Sequence, residues 1–243
     1  MILAINQLFI ETFDRAIHTK WRWSEIFQHI ITNGIGSLPV ILVATAFSGL
    51  VVTDEIAWHM DHALHTVQMI PGFTGQIILR ELGIAIPAFL LISKVGASIT
   101  AEVGTMKITD QIDALKLLGI DPVNYLVFPR FIASVISTAC LTVLASGVTL
   151  ACAIGMAVAH YDFSFLEYVN ALRHFVHFSD LLCALVKGTV FGAVIPIISC
   201  AYGFNCKGGA EGVGTATTDS VVASTSAVIV LDFIITFIFT RIL

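Results

Sequence analysis

The chain has 243 residues, of which 57% are hydrophobic and 12% charged, with a net charge of −5 and a mean hydropathy of +0.92. A soluble domain carries about twice that charged share, so a water-soluble globule is excluded; the lack of a basic run excludes a nucleic-acid binder, and the apolar excess excludes disorder. What remains is an all-α integral membrane protein, long enough for one domain of several spans, because only helices satisfy every backbone group inside lipid without closing a barrel.

Residues 3–20 place Leu8, Phe9, Phe13, Ala16 and Ile17 on one helical face and Gln7, Glu11, Asp14, Arg15 and His18 on another. This predicts an amphipathic helix lying on the membrane over 1–24, with Trp21 and Trp23 at headgroup level, followed by the membrane domain over 25–243. No cleavable signal peptide is expected. Uncharged runs at 30–53, 131–159 and 188–205 predict spans, as does 220–240, which is broken only by Asp232. A weaker run at 82–101 contains Lys94, which can snorkel, and completes five expected spans. Arg15, Lys20, Arg22, Lys94, Lys107, Lys116, Arg130 and Lys207 fall on one side, against Arg80, Arg173, Lys187 and Arg241 on the other. The positive-inside rule then puts the N-terminus in the cytoplasm and the C-terminus outside.

The connecting segments carry the remaining polar features. Arg80 and Glu81 sit at the outer edge of span two, read either as an interfacial ion pair or as the mouth of a lipid cavity. His59, His62 and His65 with Asp61, and His174 and His177 with Asp180, make two His-rich outer segments, read as interfacial rather than metal-binding. In the stretch 102–130, Ile108, Ile112 and Leu115 share one helical face. Thr105 or Thr109 is placed to cap that helix, Asp110 suits its first turn, Gly119 its C′ position, and Asp121-Pro122 its stop. Asp232 inside span five requires a partner, and Lys187 is the candidate by sidedness. The glycines at 208–214 read as a tight turn. They make no phosphate loop, since no Gly-Lys pair occurs in the chain. Cys140, Cys152, Cys183, Cys200 and Cys206 form no CxxC pair and read as small buried hydrophobes, with no disulfide or metal role.

Three segments resemble the MlaE/YrbE permease family: RELG at 80–83, KVGASITAEVGTMKITDQIDALKLLGIDPVNYLVFPR at 94–130, and GGAEGVGTATTDSVVASTSAVIVLDF at 208–233. The chain departs from the family at Ile84, where Pro is usual and appears instead at Pro87, at Lys94, where Arg is usual, and at Glu55, where many relatives carry Gln. The resemblance implies the permease subunit of an ABC transporter moving phospholipids between inner and outer membranes, and so maintaining outer-membrane lipid asymmetry. It implies no enzyme activity and no cofactor in this chain, with ATP and Mg held by a separate ATPase. It implies a multi-pass protein of the bacterial inner membrane, working as a homodimer with two cytoplasmic ATPase subunits and a periplasmic MCE-domain (MlaD-like) oligomer. It further implies a coupling helix at about 105–119, with Glu102, Thr105, Met106, Thr109, Gln111, Asp113, Leu115 and Gly119 as coupling residues. Leu50, Val52, Ile56, Arg80, Glu81 and Leu82 are the implied lipid-binding residues. The alternative from the residues alone is a self-contained secondary transporter or channel using Glu81 and Asp232.

Overall fold

A computed structural model describes residues 5, 8–12, 22–64 and 67–242, and among them no strand occurs. Most of the interfacial helix expected over 1–24, Trp21 included, lies outside the described residues; residues 8–12 are helical, with Leu8 and Thr12 buried. Five helices are long and apolar enough to cross a membrane: α1 (Trp23–His62), α2 (Ile70–Ile108), α4 (Val123–His160), α6 (Phe178–Phe204) and α7 (Gly209–Ile242). Two short helices lie between them, α3 (Gln111–Leu117) and α5 (Phe165–Phe175).

Every long helix outruns the uncharged stretch that announces it in the sequence. Several of the charges that end those stretches are held by partners within the fold, Asp54 by Tyr161, Arg130 by Glu102 and Lys187 by Glu81 and Asp232, so the helices continue through them. Thus α2 contains Arg80 and Glu81 well inside its length rather than at its edge, and α6 contains Asp180 and Lys187. Likewise the turn expected over 208–214 contracts to Gly208 and Gly209, whose φ angles of 90° and 71° are open to glycine. Residues 210–214 are already helical.

Two compact units divide the fold, one built from residues 1–37, 89–138 and 189–231, the other from 38–88, 139–188 and 232–243. Each long helix gives a segment to each unit. The first unit holds α3. The second holds α5, a helix where the sequence shows only a His-rich outer segment. There Tyr168 is fully buried in a cluster with Ala57, Ile70, Ala157 and Phe163. Gly72 and Gly75 make room for Phe175 and Leu172, and Gln76 donates to the Phe175 carbonyl at 3.1 Å.

Helix α4 carries a buried stripe of hydroxyls: Ser134, Ser137, Thr138, Thr142, Ser146 and Thr149. Glycines of neighbouring helices lie against it. In the first unit Gly34 meets Ser137, and Gly192 meets Ser134 and Thr138; in the second Gly49 meets Thr149, Gly83 meets Ser146, and Gly188 meets Thr142. Lipid is as apolar as leucine, so helices in it gain by close backbone approach and van der Waals contact rather than by expelling water. Small residues facing short hydroxyls supply that approach.

The tightness of this stripe can be tested at one glycine against another. A Cβ at Gly192 would sit 2.8 Å from the Ser134 carbonyl oxygen and 2.9 Å from the Val135 Cα, whereas one at Gly147 meets nothing within 4 Å. Gly192→Val should therefore sharply reduce the yield of monodisperse protein after mild heating in detergent. Gly147→Ala should hold or raise it, by about 0.5–1 kcal/mol of helix propensity.

Candidate functional site

A widened π turn at Ile78–Leu82 carries Arg80 and Glu81 in the second unit. Adjacent residues on a helix do not face each other, so Arg80 and Glu81 do not form the ion pair that was one of the two readings. Arg80 Nε pairs with Asp180 Oδ1 at 2.6 Å, and Glu81 Oε1 accepts from Lys187 Nζ at 3.1 Å and from the Thr236 hydroxyl at 3.0 Å. Lys187 Nζ also lies 2.7 Å from Asp232 Oδ1 and donates to the Arg80 carbonyl at 2.6 Å. Asp180 and Lys187 are two turns apart on α6, so one face of that helix meets both charges of the π turn. Asp180 Oδ2 in turn accepts from the His177 backbone N–H at 2.9 Å.

The side chain of Lys187 is 0% exposed, while those of Glu81 and Asp232 are 38% and 21% exposed. The sequence reading placed the buried charge at Asp232; the fold buries Lys187 instead. Asp232 sits at the half-open rim, because burying a lone ammonium demands carboxylate partners on several sides. Arg80 and Lys187 face Asp180, Glu81 and Asp232, so the cluster carries one surplus negative charge when all are ionised.

The remaining residues expected to bind lipid do not share one wall. The buried stripe of α1 in this unit runs through Ile41, Thr45, Gly49, Thr53 and Ala57. Val52 and Ile56, four apart, flank it on one side. Leu50 is two residues from Val52, about 200° round the helix, and flanks the other. All three are half-buried, as is Leu82. The π turn packs against α1.

In the first unit the expected coupling helix over 105–119 is divided. Helix α2 runs on to Ile108, and the Thr105 and Thr109 hydroxyls bond back to the Ala101 and Thr105 carbonyls at 2.7 and 2.8 Å instead of capping a new helix. The chain breaks at Asp110, in the left-handed region at φ 56°, and α3 covers only Gln111–Leu117. Its end is a double-bonded C-cap: Gly119, at φ 74°, donates to Lys116 O at 3.0 Å and Ile120 to Leu115 O at 2.9 Å. Ile112 is buried and Leu115 half-buried, whereas Leu117 and Leu118 are 90% and 75% exposed. Asp113 pairs with Lys107 at 3.0 Å and Lys116 at 3.5 Å, and the Lys107 hydrogen bond foremost holds its carboxyl below the usual range. Gln111 is exposed.

Glu102 and Met106 are not part of this short helix. They line a polar cavity of about 440 Å³ with Glu25, His29, Asn33 and Arg130, among others. Arg130 is buried and pairs through Nη2 with Glu102 Oε1 at 3.0 Å. The sequence gives no sign of this pair, because Glu102 belongs to the preceding long helix and meets Arg130 only in the fold. Among the described residues no three His, Cys, Asp or Glu side chains converge on a metal position, and His65 lies outside the described residues.

Residues 26–238 match the family model described as Permease MlaE. A probable ABC transporter permease protein of Rickettsia felis is 35% identical over 224 residues, covering 90% of this chain and 84% of that one. A probable ABC transporter permease protein of Synechocystis is 31% identical over 240 residues, covering 93% and 91%. The chloroplastic protein TRIGALACTOSYLDIACYLGLYCEROL 1 of Arabidopsis thaliana is 32% identical over 225 residues, covering 93% of this chain and 64% of that protein.

The Lys187 cluster sets a clear expectation for mutants. Lys187→Met strands Glu81 and Asp232 without their cation and should destabilise the protein by about 3–5 kcal/mol. Adding Glu81→Gln and Asp232→Asn to that variant should recover most of the loss, as read by thermal denaturation in detergent. No recovery in the triple variant would mean that Lys187 acts through packing and not through charge.

Proposed function

Because the chain belongs to the MlaE permease family, we propose that this ABC transporter permease moves phospholipids, as a homodimer driven by a separate ATPase that holds ATP and Mg. The observation that carries the lipid reading is the half-open charge cluster. Glu81 and Asp232 present partly exposed carboxylates within apolar helices, and the exposed Phe233 and Phe237, stacked at 6.1 Å, lie next to Asp232 on α7. Charge beside an open apolar surface suits an amphiphile, with the headgroup at the ions and the chains on the hydrocarbon. The Arabidopsis relative is itself named for a galactosylated diacylglycerol.

The exposed faces support a second copy. The apolar window of α7 is only 17% buried, against 56% for α6. Yet α7 exposes Thr215, Thr218 and Asp219. Asp219 lies about 15 Å along the helix from its start, and a carboxylate facing lipid there would cost several kcal/mol. A partner protomer or a water-lined cavity between protomers removes that cost, and a twofold arrangement suits paired ATPases. Leu117 and Leu118, held outward by the capped turn at Gly119, form the apolar knob for the ATPase, with the paired Asp113 stiffening its base. A periplasmic MCE-domain oligomer completes the assembly in the bacterial inner membrane, with the N-terminus cytoplasmic.

Two variants test this reading. Leu118→Asp should weaken ATPase capture by about 2 kcal/mol, roughly thirtyfold, measured by titrating the ATPase onto the purified permease; unchanged affinity and unchanged hydrolysis would remove α3 from the contact. Glu81→Gln should assemble at wild-type yield but alter lipid bound per complex and the rate of lipid movement between vesicles. Wild-type occupancy and rate would reduce Glu81 to a structural partner of Lys187.

A further inference from the structure

The polar cavity of the first unit combines features that the coupling and lipid-cavity roles do not use. Arg130 is 3% exposed. Its Nη2 holds Glu102 and its Nη1 donates to the Leu126 carbonyl at 3.2 Å, but its Nε has no oxygen acceptor among the described residues. The neighbouring Cys200 thiol is only a weak acceptor. Asn33 Nδ2 in the same cavity is likewise buried without an acceptor. Buried polar groups are normally hydrogen-bonded, and here two unpaired donors belong to residues that line one cavity. Two carboxylates share the lining, Glu25 and Glu102. Glu25 is partly neutralised by Arg22, while Glu102 spends one oxygen on Arg130 and keeps the other.

A bare phosphate would meet both carboxylates, and a bare amine would meet Arg130. A molecule bearing both charges satisfies both sides. The aromatic face that would suit a trimethylammonium group is already taken, since the Arg22 guanidinium lies 4.1 Å over the Tyr125 ring. A primary ammonium, with N–H donors for Glu102, fits better. The same helix exposes Trp23, Phe27 and Ile31, an aromatic and apolar flank of the kind that sits at the membrane interface. We propose that this cavity binds a phosphoethanolamine headgroup, with the phosphodiester on Arg130 and Asn33 and the ammonium on Glu102. On the lipid-transport reading, on which this rests, it is a headgroup-selecting site separate from the Lys187 cluster.

The test uses the full-length chain purified in detergent and four probes: dihexanoylphosphatidylethanolamine, dihexanoylphosphatidylcholine, dihexanoylphosphatidate and chain-free glycerophosphoethanolamine, each titrated calorimetrically. The ethanolamine lipid should bind saturably and at least about tenfold more tightly than the choline lipid or the phosphatidate. Glu102→Gln should erase that preference. Ser98→Phe, which fills the cavity from its exposed wall and removes no charge, should abolish binding of all four. Tighter binding of the chain-bearing ethanolamine probe than of the chain-free one identifies a membrane lipid as the source; equal binding identifies a soluble phosphodiester of the same chemistry. Indifference among the three lipid probes, or unchanged binding in Ser98→Phe, overturns the proposal. If the assembled transporter moves no lipid but the ethanolamine preference persists, the transport reading fails and the site stands. If lipid moves and Ser98→Phe binds like wild type, the site fails and the transport reading stands.

Discussion

A fully buried ammonium organises one half of this protein. Lys187 reaches Glu81, Asp232 and the Arg80 carbonyl within 2.6–3.1 Å, and these groups come from α2 and α7 while the lysine belongs to α6. An ion removed from water loses several kcal/mol of hydration that only close, well-aimed partners restore. Three helices must therefore keep their relative register for the charge to be tolerated. The π turn at Ile78–Leu82 belongs to the same constraint, because it turns Arg80 and Glu81 toward two positions of α6 seven residues apart.

Packing around these ions relies on backbone proximity. In the second unit, Gly49, Gly83 and Gly188 meet the hydroxyl stripe of α4 at Thr149, Ser146 and Thr142. Such contacts let helix axes approach closely enough for a side chain as long as lysine to bridge three helices. They also explain why polar residues are frequent inside a chain with so few charges. Thr142 and Thr149 return their hydroxyl protons to carbonyls one turn back, at 2.8 and 2.7 Å, so they add no unsatisfied donor to the core.

The first unit solves a different problem. Its short helix α3 is anchored inward by Ile112 and tied by the Lys107–Asp113–Lys116 group, and it ends in a left-handed glycine that turns Leu117 and Leu118 outward. That cap and those ion pairs hold the helix in place, because a seven-residue helix has little stability of its own. Nearby, Arg130 and Glu102 close a polar cavity through residues that belong to α2 and α4, not to the short helix.

The sequence by itself determined the membrane class, the number of spans and the family block around 94–130, since hydropathy and composition act locally and need no knowledge of neighbours. The C′ role of Gly119 was legible too, because a left-handed cap after an amphipathic turn is written in adjacent residues. The ends of the helices were not, because a charge looks like a stop signal in sequence, whereas Arg130 and Lys187 are paired inside the fold and the helices run through them. The same limit hid α5, whose mixed polarity makes sense only against Gly72, Gly75 and the Tyr168 cluster. It also left open an Arg80–Glu81 ion pair that the fold does not form, and could not show that Glu102 and Met106 lie in the long helix before the break at Asp110. The Lys187–Asp232 pair was reached by sidedness, but the remaining partners are decided by helix register and crossing, which are properties of tertiary packing: Lys187 lies more than 100 residues from Glu81 in the chain but one hydrogen bond from it in the fold.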